Sequence, residues 1–165
     1  RETAEIAVQA ALTGHLVLST LHTNDAPSSL TRLVEMGVEP FLVASSVVGV
    51  LAQRLVRVIC QSCKESYRPE PRIASEFQLP PGASLSRGKG CAACQQSGYR
   101  GRIGIYELLP MSEEIKSLVV SKSAAHAVRD AARQAGMRTL RDDGLAKVRA
   151  GITTIEEVLR VTQLE

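Results

Sequence analysis

The chain has 165 residues, 44% of them hydrophobic and 22% charged, with a net charge of +3 at neutral pH. That composition suits one ordinary domain or two small ones and excludes a disordered segment; so mild a charge gives no reason to expect nucleic acid or a membrane surface as partner. Aromatics make up 3% and Trp is absent, so the core has to be aliphatic. The longest apolar run, residues 41–51, is broken by Ser45, Ser46 and Gly49 and is too short to span a bilayer. The chain begins at Arg1, not at an initiator Met, shows no signal-peptide pattern, and reads as a piece of something longer.

The first third alternates helix and strand. Residues 2–11 carry Ile6, Ala7, Ala10 and Ala11 on a narrow apolar stripe, and Gly14 is a suitable stop. Leu16 to Leu21 is apolar without alternation, which predicts a strand covered on both faces of a parallel sheet. Asp25-Ala26-Pro27 then opens a helix with an Asp cap and Pro in the first turn; Leu30, Leu33 and Val34 form its inner face, and Gly37 ends it. Pro40 starts another helix, to about Gly49, and residues 53–59 read as a further strand. Between residues 60 and 102 the periodicity fades and Pro and Gly accumulate, as in a loop-rich module that needs a staple. The last third is helical. Ser112 caps a helix carrying Ile115, Leu118 and Val119, and Ser123 caps a second, ending at Gly136. A third runs from about Thr139 to Ala150, and Thr153-Thr154-Ile155-Glu156 is a capping box for the fourth.

All four cysteines fall in the loop-rich region, as Cys60-x-x-Cys63 and Cys91-x-x-Cys94. Two such turns bring four thiolates to one point, the donor set of a structural tetrahedral Zn²⁺. Two disulfides are the alternative, disfavoured in a chain with no secretion signal. Four thiolates leave no open position, so a catalytic zinc is not expected. Side-chain charges over residues 60–102 sum to +4, or +2 with a zinc tetrathiolate. That balance suits a protein or headgroup contact, and with few aromatics for base stacking it argues against nucleic acid. Gly98, Gly101 and Gly104 do not make a phosphate-binding fingerprint and read as tight turning into a short strand.

Residues 2–57, "ETAEIAVQAALTGHLVLSTLHTNDAPSSLTRLVEMGVEPFLVASSVVGVLAQRLVR", the two cysteine pairs, "GYRGRIGIYELL" and "GMRTLRDDGLAKVRAGITTIEEVLRVT" together resemble the ATPases of type II secretion systems and, nearly as well, those of type IV pilus assembly. The resemblance implies an α/β chain in three parts: the C-terminal part of a RecA-like P-loop ATPase core (1–59), a tetracysteine zinc module (60–107) and a helical C-terminal subdomain (108–165). It implies a cytoplasmic homo-hexamer, peripheral to the inner membrane, docked on secretion or pilus platform proteins and driven by ATP and Mg²⁺. The departure is equally informative. No G-x-x-x-x-G-K-[ST] is present, since the only Gly-Lys, Gly88-Lys89, is followed by Gly90 between the cysteine pairs. The chain is therefore expected to begin just after the family's Walker B strand and to be inactive alone. A non-enzymatic zinc-ribbon adaptor binding protein or nucleic acid is the competing reading.

Polar residues close the apolar run at His22-Thr23-Asn24-Asp25. Ligands of open α/β sheets sit beyond the carboxyl ends of strands, and the next helix would offer its N-terminus to an anion. On the residues alone, a strand-ending His bonded to its loop is the better account of His22. The resemblance matches this stretch to the family's His box, near the terminal phosphate. It implies a catalytic, nucleotide-contacting role for His22, with Thr23 as neighbour. His15, at the other end of the run, reads as structural. Arg54 either approaches nucleotide or pairs with a surface acid.

Overall fold

The computed structural model describes residues 2–162. Helices α1 (Glu2–Leu12), α2 (Ala26–Glu35) and α3 (Pro40–Ser46) lead into strand β1 (Gly49–Ile59). Then come β2 (Lys64–Tyr67), α4 (Pro71–Glu76), β3 (Leu85–Gly88) and β4 (Tyr99–Pro110). Helices α5 (Glu113–Val120), α6 (Ala125–Gln134), α7 (Leu140–Arg149) and α8 (Ile155–Thr162) follow. The chain divides into two compact units, each made of two stretches of sequence. One takes the residues up to Gln53 with Tyr106–Thr139; the other takes Arg54–Ile105 with the residues from Leu140 onward. Strands β1 and β4 hydrogen-bond as a two-stranded sheet. Met111 N–H donates to the Val48 carbonyl at 3.2 Å and Cys60 N–H to the Gly98 carbonyl at 2.9 Å, which sets the pair antiparallel.

The first unit is a helical layer with an aliphatic core. Val8 of α1, Leu30 of α2, Val43 of α3, Ile115 and Val119 of α5, and Val128, Ala131 and Ala132 of α6 close on Leu109 of β4. The helical spacing expected for α2 holds, with Leu30 fully buried and Leu33 and Val34 packed against the cluster. Ser112 caps α5 as expected, its Oγ accepting from Ile115 N–H at 3.3 Å. The start of α6 differs. Ala124 stands at the cap position without a side-chain bond, and Ser123 Oγ instead meets Ser121 Oγ at 3.0 Å.

The predicted strand at Leu16–Leu21 does not form: residues 15–23 are neither helix nor strand. Leu16 is 81% and Leu18 88% exposed. An extended run becomes a strand only when a neighbour takes its backbone N–H and C=O groups, and no described residue does so here. By contrast β1 begins four residues earlier than the sequence predicts and β4 is far from short, because each lengthens the other's ladder.

In the second unit β2 and β3 pair antiparallel, Lys64 opposite Gly88 through Tyr67 opposite Leu85. Helices α7 and α8 pack closely at Gly144, where a Cβ would come within 2.6 Å of Val158 Cγ1. Glycine within a helix costs up to about 1 kcal/mol in propensity, and here it permits that approach. The cap of α8 is one residue later than predicted. Thr154 Oγ1 accepts from Glu157 N–H at 3.4 Å, while Thr153 Oγ1 donates to the Arg57 carbonyl at 2.7 Å. The reciprocal half of a capping box is replaced, because the Glu157 carboxylate serves β1 instead.

Candidate functional site

The turn after His22 is built by the start of α2. Asp25 is the cap residue in extended conformation, and its Oδ1 accepts from Ser28 N–H at 2.8 Å. Its Oδ2 pairs with the Arg129 guanidinium of α6. The carboxylate of Glu107, on β4, accepts from Ala26 N–H at 2.8 Å. Both acids are buried, Asp25 at 2% exposure and Glu107 at 1%. Burial opposes ionisation of Asp25, but hydrogen bonds from Ser28 and the charge of Arg129 outweigh it, and its carboxyl titrates below the usual range.

This geometry corrects one expectation. The N-terminus of α2 does not stand open to an anion: Ala26 and Ser28 N–H are taken by two carboxylates, and Pro27 has no N–H. Negative charge at this end of the dipole is already supplied from within. Thr23, half-buried, lies with Oγ1 2.6 Å from Ser29 Oγ and 3.2 Å from the Asp25 carbonyl, so its hydroxyl serves the turn. His22 is exposed at the head of it. His15 Nδ1 lies 3.1 Å from Thr13 Oγ1. Arg54 is half-buried on β1 in the second unit, with an interaction of its own.

The second cluster is the cysteines. Each Cys-x-x-Cys takes a single 3-10 turn, with Cys63 N–H on the Cys60 carbonyl at 3.3 Å and Cys94 N–H on the Cys91 carbonyl at 3.2 Å. The β2–β3 ribbon brings the pairs together, and Lys89 N–H closes it on the Cys63 carbonyl at 3.1 Å. Two glycines make the approach possible. A Cβ on Gly88 would lie 2.1 Å from the Gly98 carbonyl oxygen, and Gly98 sits at φ +76°. The four Sγ atoms lie within 4.8 Å of one another. Cys60–Cys91 and Cys63–Cys94 are 3.9 Å apart and Cys91–Cys94 3.7 Å, with all four thiols free. A tetrahedron with metal–sulfur bonds of about 2.3 Å has edges of about 3.8 Å, so the donor set fits a zinc-sized ion. The backbone supplies a supporting shell, as Cys91 N–H and Gly98 N–H donate to Cys94 Sγ at 3.2 and 3.3 Å. Burial works against the Cys94 thiolate, yet these donors and the neighbouring thiols lower its thiol to about 6. Burial and its thiol neighbours push Cys63 up to about 12, against the N–H of Gly90.

A third group anchors β1 just ahead of Cys60. Glu157 of α8 accepts from Arg57 N–H at 2.9 Å, from the Arg57 guanidinium at 2.6 Å and from Arg160 at 2.9 and 3.0 Å. Arg57 stacks 4.2 Å over the Tyr99 ring, whose hydroxyl meets Thr154 Oγ1 at 2.9 Å. Glu107, Arg129 and Glu157 are absent from the sequence reading. A signal existed for Glu107, which shares the alternation phase of the buried Ile105 and Leu109. Nothing distinguished Glu157 from its neighbour Glu156.

Two solved structures share the fold. The pilus retraction motor PilT with bound ADP matches at a TM-score of 0.62 and 22% identity, over 97% of this chain and 36% of that one. The Legionella pneumophila ATPase DotB matches at 0.63 and 19%, over 99% and 36%. The fold is that of an α/β ATPase core. The family of type II/IV secretion system proteins matches residues 1–160, and the chain belongs to that family. Type II secretion system protein E of Pseudomonas aeruginosa is 56% identical over 100% of this chain and 33% of its own length. Type II secretion system ATPase E of Vibrio cholerae is 52% identical over 98% and 32%, and the type IV pilus assembly ATPase PilB of Thermus thermophilus 50% over 98% and 19%. The chain thus spans a third or less of the length of these relatives. Among the described residues no helix is long and apolar enough to cross a membrane.

Proposed function

We propose that the chain is the C-terminal portion of a secretion or pilus-assembly ATPase that works as a hexamer on inner-membrane platform proteins, on the cytoplasmic side. The observation that carries this is family membership across residues 1–160, with relatives named as secretion and pilus ATPases over nearly the whole chain. An adaptor has no need of that extent of ATPase core. The sequence holds no G-x-x-x-x-G-K-[ST], so MgATP would be cradled by other parts of the full-length protein, and this chain alone would not turn it over. Cys60, Cys63, Cys91 and Cys94 would hold one Zn²⁺, whose chemistry is to cross-link the module and neutralise its thiolates.

His22 would act at the γ-phosphate, with Thr23 shaping its turn and Arg54 available to nucleotide in the assembled core. A neutral imidazole holds a water or accepts its proton, and an imidazolium donates to phosphate oxygen; both act mainly in the transition state. In the full-length protein, His22→Ala should lower kcat on the order of 10²-fold while nucleotide affinity changes little. His15→Ala, the control, should leave turnover per folded hexamer at the parental value. Parental turnover in His22→Ala would overturn the assignment.

A further inference from the structure

We infer that Glu107 and Arg129 are positioning residues for the turn that carries His22, and this rests on the reading that His22 serves ATP hydrolysis. A helix start needs one cap, and Asp25 Oδ1 on Ser28 N–H provides it. The structure does more. Arg129, 104 residues away, takes the other Asp25 oxygen, and Glu107, 81 residues from Ala26, takes the N–H beside it. Thr23 and Ser29 close the turn through their hydroxyls at 2.6 Å.

With Asp25 buried and Arg129 about a third exposed, these charges stabilise little compared with apolar packing, because desolvation of the carboxylate offsets much of the attraction. What they define well is a single geometry, through directional bonds from three elements. His22 needs that. It directly precedes the turn, so the bonds that Asp25 and Ala26 make to Ser28, Arg129 and Glu107 fix where the backbone carrying it meets α2. Catalysis by positioning is sensitive to such anchorage, since a displacement of about 1 Å can cost on the order of 10²-fold in rate.

The test is steady-state MgATP hydrolysis and nucleotide affinity in the full-length hexamer. Arg129→Met and Glu107→Ala should each lower kcat about 10-fold or more with nucleotide affinity within about 3-fold. Glu107→Gln, whose amide oxygen still accepts from Ala26 N–H, should recover most of the loss. The decisive measurement is the double variant: in a His22→Ala background, Arg129→Met should lower kcat by no more than about 2-fold further, because its effect passes through His22. Losses that multiply would overturn the inference, as would parental kcat in both Arg129→Met and Glu107→Ala. If Arg129→Met does not fold, Arg129→Lys, which keeps charge but not the guanidinium fork, should show a smaller fall with the same non-additivity. If His22→Ala lowers kcat and Arg129→Met does not, this inference alone falls. If His22→Ala keeps the parental rate, the reading of His22 fails and takes this one with it.

Discussion

The two clusters of ionisable side chains solve the same problem with opposite chemistry. At the start of α2, Asp25 finds its counter-charge within the chain, in Arg129, and its hydrogen bonds in Ser28. The cysteines offer four like groups 3.7 to 3.9 Å apart across their closest pairs. Against burial, backbone N–H donors lower the Cys94 thiol to about 6, while burial and neighbouring thiols drive Cys63 to about 12. Four thiolates at that spacing repel one another, and an external cation resolves the repulsion. One cluster is complete as the chain folds; the other, on the proposed reading, would be completed by a metal. The comparison breaks if the second cluster keeps its structure with none.

The largest effect should therefore come from metal removal. Protein purified without chelator should contain about one zinc per chain. A strong chelator, or Cys91→Ser, should sharply raise amide hydrogen exchange across residues 60–98 while leaving α5 and α6 protected. Structural zinc contributes on the order of 10 kcal/mol of apparent binding free energy in small modules. Gly88→Ala tests the same closure without touching a thiol, since its Cβ would collide with the Gly98 carbonyl, and it should weaken metal retention. Unchanged exchange after the metal is gone, or four cysteines found in two disulfides, would defeat the comparison.

Next in size is Glu157, the second unit's own internal ion cluster. Its side chain is 2% exposed, but Arg57 and Arg160 are 47% and 53% exposed, so water screens the pairs and Glu157→Gln should cost only about 1–2 kcal/mol at pH 7. Burial opposes its ionisation, yet bonds from Arg160 and Arg57 hold the carboxyl down to about 2, against an ordinary value of 4.5. A depressed carboxyl contributes fully above its unfolded value and loses that contribution as pH falls through the folded one. The stability gap between parent and Glu157→Gln should thus be constant above about pH 5 and close between 4.5 and 2. Any loss of metal on acidification would be common to both proteins, so their difference in urea midpoint isolates the carboxylate. A gap that widens on acidification would contradict this assignment.

The same contrast explains what could be read from the chain alone. The cysteine spacing announced its donor set because ligand chemistry is local to two short turns. The caps at Asp25 and Ser112 were legible because a helix start is written within four residues. The clamp on α2 was not, since Glu107 and Arg129 meet it from 81 and 104 residues away. Nor could apolarity decide Leu16–Leu21. Hydrophobic pattern tells which residues a strand would bury, whereas the strand itself is a property of a pair.

The smallest effect separates two serines that look alike in sequence. Ser112 and Ser123 both precede helices and both were expected to cap them. Ser112 Oγ does accept from Ile115 N–H at 3.3 Å, satisfying one of the free donors of α5. Ser123 stands one residue too early: Ala124 occupies the cap of α6, and the Ser123 hydroxyl is spent on Ser121 at an exposed position. Ser112→Ala should accordingly cost about 1 kcal/mol. Ser123→Ala should stay within about 0.5 kcal/mol of the parent, as for most exposed sites. Ala124→Gly or Ala124→Ser would not restore the predicted pattern equally. Serine there gains an oxygen at the cap and should stabilise α6 by a few tenths of a kcal/mol or more, while glycine adds no acceptor. Thermal or urea denaturation of the four single variants decides it, and a loss at Ser123 equal to that at Ser112 would return the cap of α6 to Ser123.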